Sequence, residues 1–169
     1  MLLAVTFANG QSVIERRAFS SLKKIFGDSI SIVRERVKLS GEEKQIIIAK
    51  TQWAIDSVTV YACKARDSVV GYGIVDNVRG KTQLITYLVA VNAKIEVEDI
   101  DILGYRESYG GEVAYESFRK QFRQKTINDD LKPGKDIKNI SGATISVRSI
   151  TIGVRRILTA FEIIRHRLP

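Results

Sequence analysis

Ser141-Gly142-Ala143-Thr144 sets small and hydroxyl side chains at the head of an apolar-periodic run that begins at Ile145, with an acid, Asp136, upstream. Such a turn feeds a helix N-terminus, where unpaired backbone N–H groups and the positive end of the helix dipole hold an anion, most readily a phosphate. A threonine hydroxyl stands among those donors. Two chemistries are open to it: a phosphate resting in the turn, or one esterified to the Thr144 oxygen. A second string, Glu107-Ser108-Tyr109-Gly110-Gly111-Glu112, offers glycines that permit positive φ and close approach of a ligand to the backbone. A planar cofactor with a phosphate tail suits the pair. Spacing alone equally allows each string to be a plain turn, with Ser141 as a helix N-cap and Gly110-Gly111 as a strand-to-helix bend.

The remaining side chains narrow the chemistry. With one cysteine, Cys63, and one histidine, His166, the chain can form no internal disulfide and has no Cys-His or Ser-His pair supported by further histidines. A zinc site is equally out of reach, and no metal is expected. Cys63 lies in the alternating run 58–65 and reads as a small buried apolar residue; His166 sits in a basic C-terminal tail and reads as a surface group.

The formal charge of +8 raises nucleic acid as a partner, since Lys and Arg neutralise phosphates and release counterions. The basic residues are interspersed with acids, and no strand shows the interleaved aromatic and basic residues of a base-stacking sheet. A basic module for nucleic acid or an anionic surface, with the Ser141–Thr144 turn only capping a helix, is therefore the second reading. A positive field steers an anionic redox partner or membrane surface equally well.

These residues need elements to position them. Ser12-x-x-Glu15 opens an amphipathic helix with Ile14, Ala18, Phe19, Leu22, Ile25 and Phe26 on one face and Gly27 as its stop. Ile30 to Leu39 is extended, and Ser40-x-x-Glu43 caps a short helix through Ala49. Four strands follow, over 58–62, 69–78, 84–91 and 95–103, joined by connectors of hairpin length at Arg66-Asp67-Ser68 and Arg79-Gly80-Lys81. Short connections imply antiparallel pairing, because parallel strands need long crossovers. Gly71 and Gly73 mark a bulge or a close backbone approach. A helix is expected over 113–124 with Tyr115, Phe118 and Phe122 on one face, then a loop over 129–140 containing Pro133-Gly134, then a last helix from about Ile145 to Arg165. The fold class is α+β: a twisted antiparallel meander flanked by helices in a single domain.

Met1 to Ala8 are apolar but too few to span a bilayer, and Thr6-Phe7-Ala8 before Asn9 has the small-residue character of a cleavage site. Residues 1–11 read either as the remnant of an export signal or as a frayed N-terminus, with the domain over 12–169. No other stretch is long enough to be transmembrane.

The stretch 140–158, ISGATISVRSITIGVRRIL, resembles the flavinylation motif of the FMN-binding domain family, which includes the flavin subunits of sodium-translocating NADH:quinone reductases and Rnf complexes. Residues 105–113 followed by Phe118-Arg119-Lys120-Gln121-Phe122 resemble the family's second signature, an acid, a glycine bend and an aromatic-rich segment with a Gln-Phe pair. Gly71-Tyr72-Gly73 and the run 85–91 resemble its central strands. The chain departs at Val147, Ser149 and Gln124, the last where a glycine is frequent.

The resemblance implies FMN attached by a phosphoester to Thr144, transferred from FAD by an ApbE-type flavin transferase with magnesium, and Asp136 as the leading acid of the motif that the transferase reads. It implies Ser141, Gly142, Ala143 and Arg148 around the phosphate, Glu107, Ser108, Tyr109, Gly110, Gly111 and Glu112 along the ribityl chain and ring, and Tyr87 against the ring. The function implied is an electron carrier, periplasmic or otherwise extracytoplasmic, rather than a stand-alone enzyme. Its partners would be the flavin transferase and membrane or periplasmic redox proteins, with no nucleic acid.

Overall fold

The computed structural model describes residues 12–168, so the expectations for residues 1–11 lie outside it. Five strands, β1 (Ser31–Lys38), β2 (Ser57–Ala65), β3 (Ser68–Arg79), β4 (Leu84–Asn92) and β5 (Val97–Gly104), form one sheet in the order β1-β2-β3-β4-β5. Every neighbouring pair is antiparallel. The extended segment before the second helix is thus the meander's first strand. From β2 to β5, connections of a few residues leave no other pairing within reach, while β1 joins β2 through the second helix.

Alternation along the strands feeds two cores. Val58, Val60 and Ala62 of β2 and Ile85, Tyr87, Val89 and Val91 of β4 face one side, while Tyr61 and Cys63 of β2 and Leu88 and Ala90 of β4 face the other. The first face is covered by the long helix α4 (Thr144–Ile164), with α2 (Gly41–Thr51) beside it. Along α4, Val147, Ile150, Val154, Ile157, Leu158 and Phe161 are fully buried, each worth roughly 1.5–3 kcal/mol of apolar burial. The second face is covered by α1 (Val13–Phe26) through Ala18 and Leu22. Cys63 lies under α1, and burial pushes its thiol pKa up to about 12, so it is an inert core residue.

Helix boundaries follow their local chemistry. Ser12 accepts the Glu15 N–H at 3.1 Å, and Gly27, at φ +105°, ends α1. Ser40 and Glu43 complete a reciprocal capping box on α2. Gly71 and Gly73 resolve as a close approach: a Cβ at Gly73 would lie 2.9 Å from Leu22 Cδ2, and one at Gly71 would lie 2.5 Å from Phe26 Cε1. The glycines let α1 settle onto the sheet.

The helix expected over 113–124 is not continuous. A 3-10 turn (Gly111–Ala114) gives way to extended backbone at Tyr115, then to α3 (Glu116–Arg119) and a second 3-10 turn (Lys120–Phe122). Phe118 and Phe122 stack edge to face with centroids 5.3 Å apart in the core, whereas Tyr115 is 63% exposed. The backbone break turns Tyr115 away from the face that periodicity had assigned to it. No helix of the described residues is long and apolar enough to cross a membrane.

Candidate functional site

α4 begins at Thr144. Gly142 turns the chain at φ +81°, and Ala143 is the N-cap, with no side-chain cap on the helix. The reading of Ser141 as N-cap is therefore corrected: the cap position holds a methyl group that accepts nothing. The N–H groups of a helix's first turn have no intrahelical acceptor, so this terminus keeps its donors for another anion. Thr144 is exposed, and its hydroxyl has no hydrogen-bond partner among the described residues.

The rest of α4 is anchored so that this terminus is fixed. Gly153 crosses the sheet so closely that an added Cβ would lie 2.8 Å from both Tyr87 Cζ and Val78 Cγ1. Arg156 donates from Nε to Asp76 Oδ2 at 2.8 Å and from a terminal nitrogen to the Asn77 carbonyl at 2.6 Å. Its guanidinium carbon also lies 4.7 Å above the Trp53 ring centre, which ties the chain after α2 to the same point. Inside the helix, the buried Thr151 hydroxyl is satisfied by the Val147 carbonyl at 2.7 Å.

The two glycine-bearing strings meet. Gly110, at φ +87°, lies against the Ser141–Thr144 turn: a Cβ there would stand 3.3 Å from both Cα and Cβ of Ala143 and 2.7 Å from the Tyr105 hydroxyl. That hydroxyl donates to the Tyr109 carbonyl and lies 3.0 Å from Ser146 Oγ. Tyr105 thus latches the bend to the first turn of α4. Between them opens a cavity of about 320 Å³ bounded by Ser108–Glu112, Tyr115 and Gly142. Tyr109 is 84% exposed at its mouth. On the other side of the turn lies a larger cleft of about 760 Å³ that includes Thr144 and Arg148 in its walls.

Three of the expected residues stand elsewhere. Tyr87 is fully buried beneath Gly153 and donates to Asp76 Oδ2 at 2.8 Å; burial, then the Asp76 charge, raise its pKa well above the ordinary value. It belongs to the core. Glu107 folds back onto the β3–β4 turn, accepting from Thr82 N and Oγ1 at 2.7 Å and from Gln83 N at 3.0 Å. These donors, Gln83 first, hold its pKa at about 2. Asp136 accepts from Leu131 N at 3.0 Å and Lys132 N at 2.7 Å and pairs with Lys125 at 3.2 Å. Burial pushes its pKa up, but those backbone donors and the Lys125 ammonium outweigh burial and lower it. Its carboxylate shapes the 131–136 loop. Periodicity missed Tyr105 and Tyr115 at the site, because neither a latch across 41 residues of chain nor a backbone break leaves a local pattern.

Among the described residues no group of three His, Cys, Asp or Glu side chains converges to hold a metal. What the site offers is a phosphate-ready helix terminus, an adjoining hydroxyl and a cavity walled by backbone and tyrosine. Those features fit the phosphate and the elongated body of a flavin mononucleotide.

Comparison with known proteins agrees with that geometry. Residues 80–159, the segment from the β3–β4 turn to α4, match the FMN-binding domain model. Over 102 residues the chain is 30% identical to a component of the proton-translocating ferredoxin:NAD(+) oxidoreductase complex of Clostridium ljungdahlii, covering 56% of this chain and 55% of that relative. The match thus spans about half of the relative's length. The fold is similar to that of Shewanella oneidensis NqrC, with a TM-score of 0.60 at 14% identity over 95% of this chain and 90% of the other. The fold is α+β, and the matched segment carries the similarity to FMN-binding domains. Residues 80–159, a little under half of the chain, are what is similar to the FMN-binding domain family.

Proposed function

We propose that this protein is an extracytoplasmic electron carrier that holds FMN covalently, as a phosphoester on Thr144 Oγ1. The observation that carries this reading is the terminus of α4: its cap residue offers no side-chain acceptor, and its first residue is an exposed threonine with an unengaged hydroxyl. A structural cap at this position would be Ser, Thr, Asp or Asn in the cap itself. Here the hydroxyl stands one residue later, where it can carry a phosphate within reach of the first-turn N–H groups.

FMN supplies one- and two-electron redox chemistry when bound. The chain's own residues bind, orient and balance charge. The α4 N–H groups and Arg148 offset the phosphodiester's negative charge. Gly110, Gly111 and Gly142 let a ligand approach the backbone, with Ser108 and Ser141 beside them as hydroxyl donors. Tyr109, Tyr115 and Glu112 wall the cavity on its open side. Covalent attachment removes the translational cost of retention, so loss to a compartment poor in free flavin is prevented.

Attachment calls for an ApbE-type flavin transferase that uses FAD and magnesium, and electron exchange calls for membrane or periplasmic redox partners. The name of the Clostridium relative, part of a ferredoxin:NAD(+) oxidoreductase complex, supports that setting. The test is intact mass and visible absorption of protein co-produced with and without the transferase. The expected result is a gain of one FMN less one water, abolished by Thr144→Ala and retained by Thr144→Ser. An unchanged mass beside an active transferase that modifies a known acceptor would refute it.

A further inference from the structure

The 760 Å³ cleft beside Thr144 has a composition that a single phosphodiester does not explain. Its walls are the end of α2, the 131–139 loop and the exposed face of α4. Lys50 comes from the first, Lys132 from the second, and Arg148, Arg155 and Arg156 from the third; no carboxylate of the described residues lines it. Arg156 is committed to Asp76. Lys50, Lys132, Arg148 and Arg155 are exposed, and their side chains have no hydrogen-bond or ion-pair partner among the described residues. Some basic side chains elsewhere are paired, Lys44 with Asp56, Lys125 with Asp129 and Asp136, Arg167 with Glu43, and others, such as Lys81 and Lys94, stand singly outside this cleft. One concave surface therefore gathers four positive charges in the unmodified protein, three of which, Lys50, Lys132 and Arg155, lie beyond the one assigned to the phosphodiester.

Their spacing sets the shape of what fits. Arg148 and Arg155 are two turns apart on α4, about 10 Å along the axis. Lys50 and Lys132 lie on other walls. No single compact anion reaches all four, so the complement is an extended polyanion. Between the charges the lining mixes aliphatic residues, Ala49, Leu131, Pro133 and Ile152, the last 48% exposed, with the polar Thr51, Gln52, Asn139 and Thr144. No aromatic ring of the described residues lines the cleft, and the nearby Trp53 face is covered by the Arg156 guanidinium. Bases of a nucleic acid would find no stacking platform, whereas carboxylates alternating with aliphatic side chains match both components.

We propose that this cleft is the docking surface for an acidic, aliphatic-bearing segment of a partner protein. The inference stands on the cleft's charges and does not require Thr144 to be modified. It places such a partner next to the Thr144 end of α4, with association steered by opposite charge and weakened by salt.

The probe is a fluorescein-labelled twelve-residue peptide repeating Glu-Glu-Leu, titrated with the unmodified protein and followed by anisotropy. Binding is expected, weaker at higher salt. The double variant Lys50→Gln/Arg155→Gln, which removes charge from opposite walls without breaking any contact, should lose roughly tenfold in affinity. Lys81→Gln/Lys94→Gln, outside the cleft, should stay within about twofold of the unaltered protein. The idea is overturned if the cleft variant binds the peptide unchanged, or if both double variants lose affinity equally. It is also overturned if a labelled twelve-nucleotide oligothymidylate binds more tightly and is lost with the same cleft charges. Thr144→Ala should bind the peptide normally, so failure of docking and failure of flavin attachment are read on separate instruments.

Discussion

The Tyr105 hydroxyl lies 3.0 Å from Ser146 Oγ and donates to the Tyr109 carbonyl, so one phenol holds the glycine bend to the first turn of the helix that begins at Thr144. The two halves of the site are separate in sequence. Their distance apart is set here and at the Gly110–Ala143 packing.

Removing that hydroxyl tests the latch. Tyr105→Phe keeps the ring and leaves Ser146 Oγ, which is 5% exposed, without this partner. The expected loss is about 1–2 kcal/mol, or roughly 2–8 °C in melting temperature for a domain of this size. Flavin loading by the transferase, read by mass, should slow at a temperature where the variant is still folded. Unchanged melting and unchanged loading together would show that the latch is idle.

Gly153 is a packing requirement, not a flexible point. It sits within α4 over Tyr87, whose hydroxyl is already engaged with Asp76. Gly153→Ala gains helix propensity of about 1 kcal/mol but forces a Cβ into the ring and into Val78. Because Tyr87 is fully buried, relief means lifting α4 from the sheet, and a net destabilisation of about 1–2 kcal/mol is expected by denaturant titration. A more stable variant would show that the ring can move aside.

Gln124 adopts φ +65° while its N–H donates to the Val97 carbonyl at 2.7 Å, closing the segment onto β5. The family resemblance frequently has glycine at this position, and the left-handed backbone supplies the reason. Gln124→Gly removes the Cβ strain at no cost to that hydrogen bond, so stability should be unchanged or rise by about 1 kcal/mol. Gln124→Val, β-branched at the same φ, should lower the melting temperature; the opposite order of the two would contradict the assignment.

Glu107 links pH to the β3–β4 turn. Its pKa falls from an ordinary 4.5 to about 2 because Gln83 N, Thr82 Oγ1 and Thr82 N donate to the carboxylate. A depressed folded-state value means that the stabilisation is fully present above 4.5 and is lost as pH falls through about 2. Amide-exchange protection at Thr82 and Gln83 should therefore decline across that window, relative to strand amides of β4. In Glu107→Gln protection at both amides should be low throughout and show no such step. A flat profile in the unaltered protein would remove the carboxylate from this role.

Much of the architecture was legible along the chain. Hairpin-length connectors led to an antiparallel meander, and the Ser40–Glu43 box and Gly27 marked helix ends, because these features depend on neighbours three or four residues away. The break at Tyr115 was not legible, since Tyr115, Phe118 and Phe122 share helical spacing and the interruption lies in backbone angles, not in residue types. Tyr87 also misled: an aromatic on a central strand is equally suited to a ring site or a core, and only the helix above it decides.

By itself the sequence determined the chemistry available: a hydroxyl at a helix start, glycines for close approach, no metal-ligating set, an excess of positive charge. Residue type and local spacing suffice for each of these. Tertiary structure decided which groups are free to act. Asp136 and Glu107 spend their carboxylates on backbone N–H groups, Tyr87 is closed in by Gly153, and Ala143 rather than Ser141 takes the cap. Lys50, Lys132, Arg148 and Arg155 come from three separate segments to line one cleft. Those outcomes depend on through-space partners brought together by the packing of α4 on the sheet, and no local pattern in the chain encodes them.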